Sequence, residues 1–210
     1  MTKQITIVDY GLGNILSAQQ SFIKVIKDNN IDANITISNN PEIIKKSSHV
    51  VLPGQGAFET CIKGLSNIPG MIDELYKFAV LKKNPFLGIC VGMQLLALDS
   101  EENGKHKGLG WIEGHIKKLP TQNLKMPHMG WNTVKLKNNL NSHIQPKETD
   151  YYFVHSYYFK CLNEKNILAE TVYGINFTSI VVKENIYGVQ FHPEKSSLQG
   201  LEIIRQFAEL

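Results

Sequence analysis

Pro85-Phe86-Leu87-Gly88-Ile89-Cys90-Val91-Gly92-Met93-Gln94-Leu95-Leu96 decides the fold of this chain. An apolar strand runs into Gly88-x-Cys90-x-Gly92 and emerges as a helix, the nucleophile-elbow pattern with cysteine in place of serine. Such a turn is tight and strained, so small residues are required at 88 and 92, where larger side chains would strike the neighbouring strand and helix. Cys90 then stands exposed at a helix start, where unpaired N–H groups and the macrodipole favour a thiolate. An isolated cysteine is more often a buried neighbour of a core helix, and Cys61 and Cys161 are read that way. Glycine on both sides of the junction sets Cys90 apart.

Upstream, short β-branched runs alternate with amphipathic stretches. Ile5 to Val8 reads as a buried strand, and Ile15 to Lys27 as a helix with Ile15, Leu16, Phe22, Ile23 and Ile26 on one stripe and Asn14 as N-cap. Ala33 to Ile37, His49 to Leu52 and Phe86 to Ile89 continue as strands; Asn40-Pro41 opens a helix, and Met71 to Lys82 forms another. The alternation predicts an α/β fold with a mostly parallel sheet covered on both faces. After Gly108 the texture changes to short strands, from Trp111-Ile112 through His115 to Leu119, then Trp131 to Leu136, Tyr151 to His155, Ile167 to Val172, Phe177 to Lys183 and Ile186 to Phe191. These predict an antiparallel extension. Leu198 to Leu210 closes as a helix with Leu198, Leu201, Ile203, Ile204 and Phe207 on its apolar face. No repeat or linker divides the chain, so residues 1–210 are expected to form one domain.

Bulk properties narrow the function. With 210 residues, 42% apolar and 20% charged, the chain can bury a full core, and a net charge of +3 with lysine pairs on separate stretches argues against nucleic acid. There is no signal-peptide pattern and no apolar run long enough to span a bilayer, which predicts a cytoplasmic protein. Three widely spaced cysteines without CxxC spacing suggest neither a disulfide framework nor a metal site.

A thiol nucleophile needs a base. Of seven histidines, His192 alone directly follows a buried strand, in Gly188-Val189-Gln190-Phe191-His192-Pro193-Glu194-Lys195. In an extended segment, His192 and Glu194 share a side, so the carboxylate can hold one ring nitrogen while the other faces the thiol. Taken alone, His-Pro-Glu is more often a turn that ends a strand. A third element, Val50-Val51-Leu52-Pro53-Gly54-Gln55-Gly56-Ala57-Phe58, opens from a strand into a glycine-rich loop whose N–H groups, at Gly54, Gln55 and Gly56, can join that of Val91 around an oxyanion. Pro-Gly-x-Gly by itself is a plain turn. Gly11-x-Gly13 is not a dinucleotide fingerprint, since Leu16 occupies the third glycine position.

The order of oxyanion loop, cysteine elbow and C-terminal His-x-Glu resembles the class I glutamine amidotransferases over essentially the whole chain. Within that class, Asp9-Tyr10-Gly11-x-Gly13-Asn14, Pro53-Gly54-x-Gly56-Ala57-Phe58, His128-Met129-Gly130-Trp131-Asn132 and Tyr152-Phe153-Val154-His155-Ser156-Tyr157 look like the glutaminase subunits of imidazole glycerol phosphate synthases. The resemblance implies a Cys90, His192, Glu194 triad that hydrolyses L-glutamine without a cofactor. It implies substrate contacts from Gln94, Glu102, Ser156 and Tyr157, and partner-facing positions at Asn14, Tyr152 and Lys195. A helix cap, a packed aromatic and a solvated charge are the plainer roles of those last three. No catalytic role attaches to His128 or His155. The implied partner is a (β/α)8-barrel cyclase that receives ammonia as part of a heterodimer in histidine biosynthesis; a paralogous glutaminase serving surface-sugar synthesis stays open. A non-catalytic binding module on the same architecture is disfavoured by intact Cys90, His192 and Glu194. The family loop commonly reads Pro-Gly-Val-Gly, and Gln55 departs from it.

Overall fold

A computed structural model describes residues 2–120, 124–137 and 142–210. Strands β1 (Lys3–Val8), β2 (Ala33–Ser38), β3 (His49–Gly54) and β4 (Phe86–Cys90) lie parallel in the order β2-β1-β3-β4. Helices α1 (Ile15–Asp28), α2 (Pro41–Lys46), α3 (Phe58–Ser66), α4 (Met71–Tyr76) and α5 (Val91–Gln94) connect or follow them, and α6 (Ser197–Glu209) ends the chain. Every residue of β3 and β4 is buried, as expected of parallel strands covered on both faces.

The second half adds β5 (Asp99–Ser100), β6 (His106–Lys107), β7 (Gly114–Lys118), β8 (His128–Leu136), β9 (Thr149–His155), β10 (Tyr157–Cys161), β11 (Ile167–Tyr173), β12 (Ile175–Lys183) and β13 (Ile186–Val189). β13 inserts beside β4 in parallel, with Gly188 opposite Gly88. β12 runs antiparallel to β13 and forks the sheet: one arm continues through β10, β7, β5 and β6, the other through β11, β8 and β9. The ends of β3, β4 and β13 therefore meet at one edge, where open α/β sheets place their ligands.

Several local expectations change. On α1 the buried residues are Ala18, Phe22 and Val25, while Leu16 is 69% exposed and Ile23 39% exposed. Ile15, Ala18, Phe22 and Val25 follow the three-and-four spacing of one helical face, and Leu16 and Ile23 lie one step around from it. Asn14 holds the N-cap position, but its side chain makes no capping hydrogen bond; Asn40 does cap α2, accepting from Glu42 N–H at 2.9 Å. The helix from Met71 gives way to a π-helical turn at Lys77–Leu81. Trp111-Ile112 lies outside any strand, and β5, β6, β10 and α3 are additions to the elements expected from sequence. Phe58, Cys61 and Leu65 do show the helical spacing that α3 buries. Leu198 is exposed in the first turn of α6, whose core face is Gly200, Ile203, Ile204, Phe207 and Ala208. Among the described residues, no helix is long and apolar enough to cross a membrane.

Phe22 of α1 and Phe207 of α6 meet edge to face at 6.3 Å. Phe207→Ala should cost about 3–5 kcal/mol in urea unfolding, whereas Leu198→Ala should stay within about 0.5 kcal/mol. Equal losses would contradict this assignment of the α6 faces.

Candidate active site

β4 ends in a residue that few side chains tolerate: Cys90 has φ 54° and ψ −112°. Such a conformation costs about 1–3 kcal/mol and persists only where the surroundings enforce it. Here three glycines do so. A Cβ on Gly92 would sit 1.8 Å from the Leu52 carbonyl oxygen, one on Gly88 2.6 Å from Gly92 O, and one on Gly54 2.6 Å from Gly92 N. β3, β4 and α5 thus touch backbone to backbone, and the turn between them has nowhere else to go.

The thiol is not exposed as the sequence suggested; Cys90 retains 3% of its surface. It opens instead into a cavity of about 320 Å³ that it shares with Gln55, Gln94, Glu102, Tyr157 and His192. The helix that follows spans only Val91–Gln94, too short for the macrodipole expected there. The positive charge beside the sulfur comes from His192.

Three residues past β13, His192 donates its backbone N–H to Tyr152 O at 2.9 Å, and its ring Nδ1 lies 2.9 Å from Glu194 Oε1. The same ring faces the cavity that Cys90 borders, where the sulfur lies 3.8 Å from Val154 O and 3.8 Å from Gln190 Nε2. Burial works against an imidazolium here, but the Cys90 sulfur and the Glu194 carboxylate outweigh it and raise His192 to about 10. His192 and Glu194 do not lie along one extended segment: Pro193–Lys195 forms a 3-10 turn that folds the carboxylate back onto the ring. Proline supplies the fixed φ that starts that turn. Glu194 Oε2 is buried and has no partner among the described residues.

The loop after β3 is tied from below. Tyr10 donates its hydroxyl to Pro53 O at 2.6 Å, and the Cys61 thiol donates to Gln55 O at 3.4 Å. Cys61 is buried as read from the sequence; Cys161 is only partly so. Gly56 sits at φ 94°, open to glycine, and both Gln55 and Gly56 border the cavity. Glu102 accepts from Phe58 N–H at 2.8 Å, which fastens the far end of the loop to the cavity wall.

Gln94 is buried and donates both N–H groups, to Tyr157 O at 2.9 Å and Gln190 Oε1 at 3.0 Å. Val91, Ser156, Tyr157 and Lys195 also line the cavity, whereas Gly54 lies beneath it, paired with Cys90, and Glu194 stands behind His192. Asn14 and Tyr152 lie outside the lining and are half-buried. Tyr152 meets Trp131 edge to face at 6.0 Å, and Met129 and Trp131 are exposed beside it, 61% and 52%. Gln190, which no sequence motif singles out, places its Nε2 3.8 Å from Cys90 Sγ. Its position two residues before His192, on the same side of an extended run, is the signal that could have found it.

A larger cleft of about 830 Å³, bordered by Lys165, Asn185 and Leu210, contains none of the candidate residues. Among the described residues, no group of three or more histidine, cysteine, aspartate or glutamate side chains is arranged to hold a metal ion.

Residues 6–210 match the family model described as Glutamine amidotransferase class-I. The chain is 42% identical over 209 residues to "Imidazole glycerol phosphate synthase subunit HisH" of Rhodospirillum rubrum, covering 97% of each. It is 47% identical over 206 residues to "Imidazole glycerol phosphate synthase subunit HisH 2" of Methanococcus maripaludis, covering 97% of this chain and 98% of that one. A crystal structure of a glutamine amidotransferase superposes with a TM-score of 0.71 at 18% identity, covering 98% of this chain and 99% of that one. A glutamine amidotransferase from Thermotoga maritima superposes with a TM-score of 0.65 at 17% identity, covering 92% of this chain and 77% of that one. These two bear on the fold alone.

The fold holds His192 in its charged form, so the stabilisation this provides is complete below the ordinary value of 6.5 and fades as pH climbs through about 10. NMR titration of the His192 ring should accordingly show an imidazolium persisting well above the usual histidine range, with Glu194→Gln moving its titration downward. Ordinary titration in the unsubstituted protein would contradict the pairing.

Proposed function

Because the chain belongs to the class I glutamine amidotransferases, we propose that it is a glutaminase which hydrolyses L-glutamine at Cys90 as a subunit of an imidazole glycerol phosphate synthase. One observation carries the reading: a buried His192–Glu194 pair shares one closed-in cavity with a cysteine that the backbone forces to the end of a strand. Residues 1–210 then act as one glutaminase domain, in keeping with a family match that reaches residue 210.

The Cys90 thiolate attacks the side-chain carbonyl carbon of glutamine. Backbone N–H groups of Gln55, Gly56 and Val91, which border the cavity as Gly54 does not, hold the oxyanion as charge develops. The imidazolium of His192 passes its proton to the leaving nitrogen, ammonia departs, and a γ-glutamyl thioester remains. Neutral His192 next takes a proton from water, whose oxygen attacks the thioester; collapse releases glutamate and restores the thiolate beside the imidazolium. Glu194 keeps the ring oriented and its charge stabilised throughout. Gln94 has spent both donors on protein partners, so its oxygen is what remains for substrate. With the Glu102 carboxylate it suits the ammonium end of an amino acid, and Ser156 and Tyr157 complete that wall.

Ammonia released into water would be protonated and lost as a nucleophile, so it must pass directly to an acceptor. The partner is a (β/α)8-barrel cyclase of histidine biosynthesis, bound as a heterodimer. The relatives' names support such a partner, and so does the exposed Met129 and Trp131 pair beside Tyr152, with Lys195 exposed at the cavity. Asn14 is assigned to the docking interface by the family resemblance alone. In this assignment the glutaminase runs slowly until the acceptor site is filled, with the loop at Gly54–Gly56 as the coupling element.

Cys90→Ala should lower glutamine hydrolysis by at least about a thousandfold while the melting transition is kept. A glutamine-analogue electrophile should alkylate Cys90 and spare Cys61 and Cys161. Hydrolysis retained in the alanine variant would refute the assignment.

A further inference from the structure

Two buried histidines take no part in the steps above. Asn132 Oδ1 accepts from Thr133 N–H at 2.8 Å, which turns its Nδ2 toward Val172 O at 3.0 Å and His128 Nε2 at 3.1 Å. A donor at that position makes His128 Nε2 an acceptor and leaves the ring proton on Nδ1, 2.8 Å from His155 Nε2. His155 must then carry its own proton on Nδ1, 2.9 Å from Tyr157 O. This single proton arrangement satisfies every contact, and it requires both rings neutral, because an added proton would set N–H against N–H. Burial acts in the same sense, lowering His128 to about 4 and His155 to about 3. Stacking of His128 between Tyr173 at 4.0 Å and Phe153 at 5.0 Å fixes the ring plane.

The chain of bonds does not stop at Tyr157. That carbonyl also accepts from Gln94, whose second N–H reaches Gln190, whose Nε2 in turn lies against Cys90 Sγ. His155 ends β9 and Tyr157 begins β10, so at Ser156 the backbone passes from one arm of the sheet to the other. Backbone pairing to β7 holds the crossing through Leu119 N–H and Ser156 O at 2.9 Å, while the Tyr157 carbonyl has the His155 ring and the Gln94 amide as its side-chain partners. We infer that His128 and His155 are positioning residues of the glutaminase site: a directed hydrogen-bond chain from Asn132 through both imidazoles fixes the Tyr157 carbonyl, and through it the Gln94 amide that meets the substrate. This deepens the glutaminase reading and rests on it.

Steady-state glutamine kinetics of the full chain with its synthase partner test the inference. His155→Phe removes the N–H that holds Tyr157 O. His128→Phe keeps the aromatic stack but releases the His155 tautomer. Each should raise KM for glutamine roughly tenfold, the worth of one buried hydrogen bond, with kcat changed less. His155→Asn, which can return an N–H to the carbonyl, should recover most of the lost affinity, and melting transitions should show all variants folded. A purely structural role would lower kcat through loss of active protein and leave KM unmoved. Should His155→Phe not fold, His128→Phe decides alone. Absence of glutamine hydrolysis in the unsubstituted complex would sink the glutaminase reading itself. Hydrolysis there with KM unchanged in the phenylalanine variants, or with asparagine no better than phenylalanine, would overturn the positioning inference alone.

Discussion

Everything at this site depends on a steric constraint: the approach of Gly92 to the carbonyl of Leu52, so close that not even a methyl group fits between them. That contact locks α5 against β3 and leaves Cys90 the sole link between a buried strand and a buried helix turn. The positive φ at Cys90 is the result. The cost of about 1–3 kcal/mol is met by the packing of strands that are buried throughout. A side chain held this way cannot retreat into the core, and its sulfur points where the strand ends.

The second condition is electrostatic. A histidine in a site with so little exposure would stay neutral on solvation grounds alone. For His192 the balance changes because the Cys90 sulfur and the Glu194 carboxylate, itself buried, support positive charge on the ring. The surroundings of His128 and His155 do the opposite. Those rings have only each other, a carbonyl and an amide for partners, so burial keeps them uncharged. Histidines within one small region thus serve as a cation and as a neutral relay, and the Cys90 sulfur and Glu194 carboxylate, found beside His192 alone, separate the two cases.

The sequence reveals the parts whose chemistry is local. Glycines flanking Cys90 announce an elbow because no other residue fits, and the buried runs at Val50–Leu52 and Phe86–Ile89 announce parallel strands. Less legible are features set by neighbours far along the chain. Leu16 and Leu198 are apolar yet sit off the packed faces, since the stripe is chosen by what α1 and α6 meet. The exposure of Cys90 depends on strands from the other half of the chain, which roof the cavity. The pairing of His192 with Glu194 is legible but its geometry is not, because period-two reasoning presumes a strand and Pro193 begins a turn. For Gln190 the sequence offers only its place two residues before His192, since an amide shows its worth when both of its ends have partners.

The parallel insertion of β13 beside β4 has a consequence for synthesis on the ribosome. Nearly the whole intervening chain must emerge before the last strand can slot into the sheet, and such distant pairings form late. A nascent polypeptide therefore carries its sulfur through the synthesis of about a hundred further residues with no His192 imidazole beside it. The pairing of His192 with the Cys90 cavity can form only once β13 has entered the sheet beside β4.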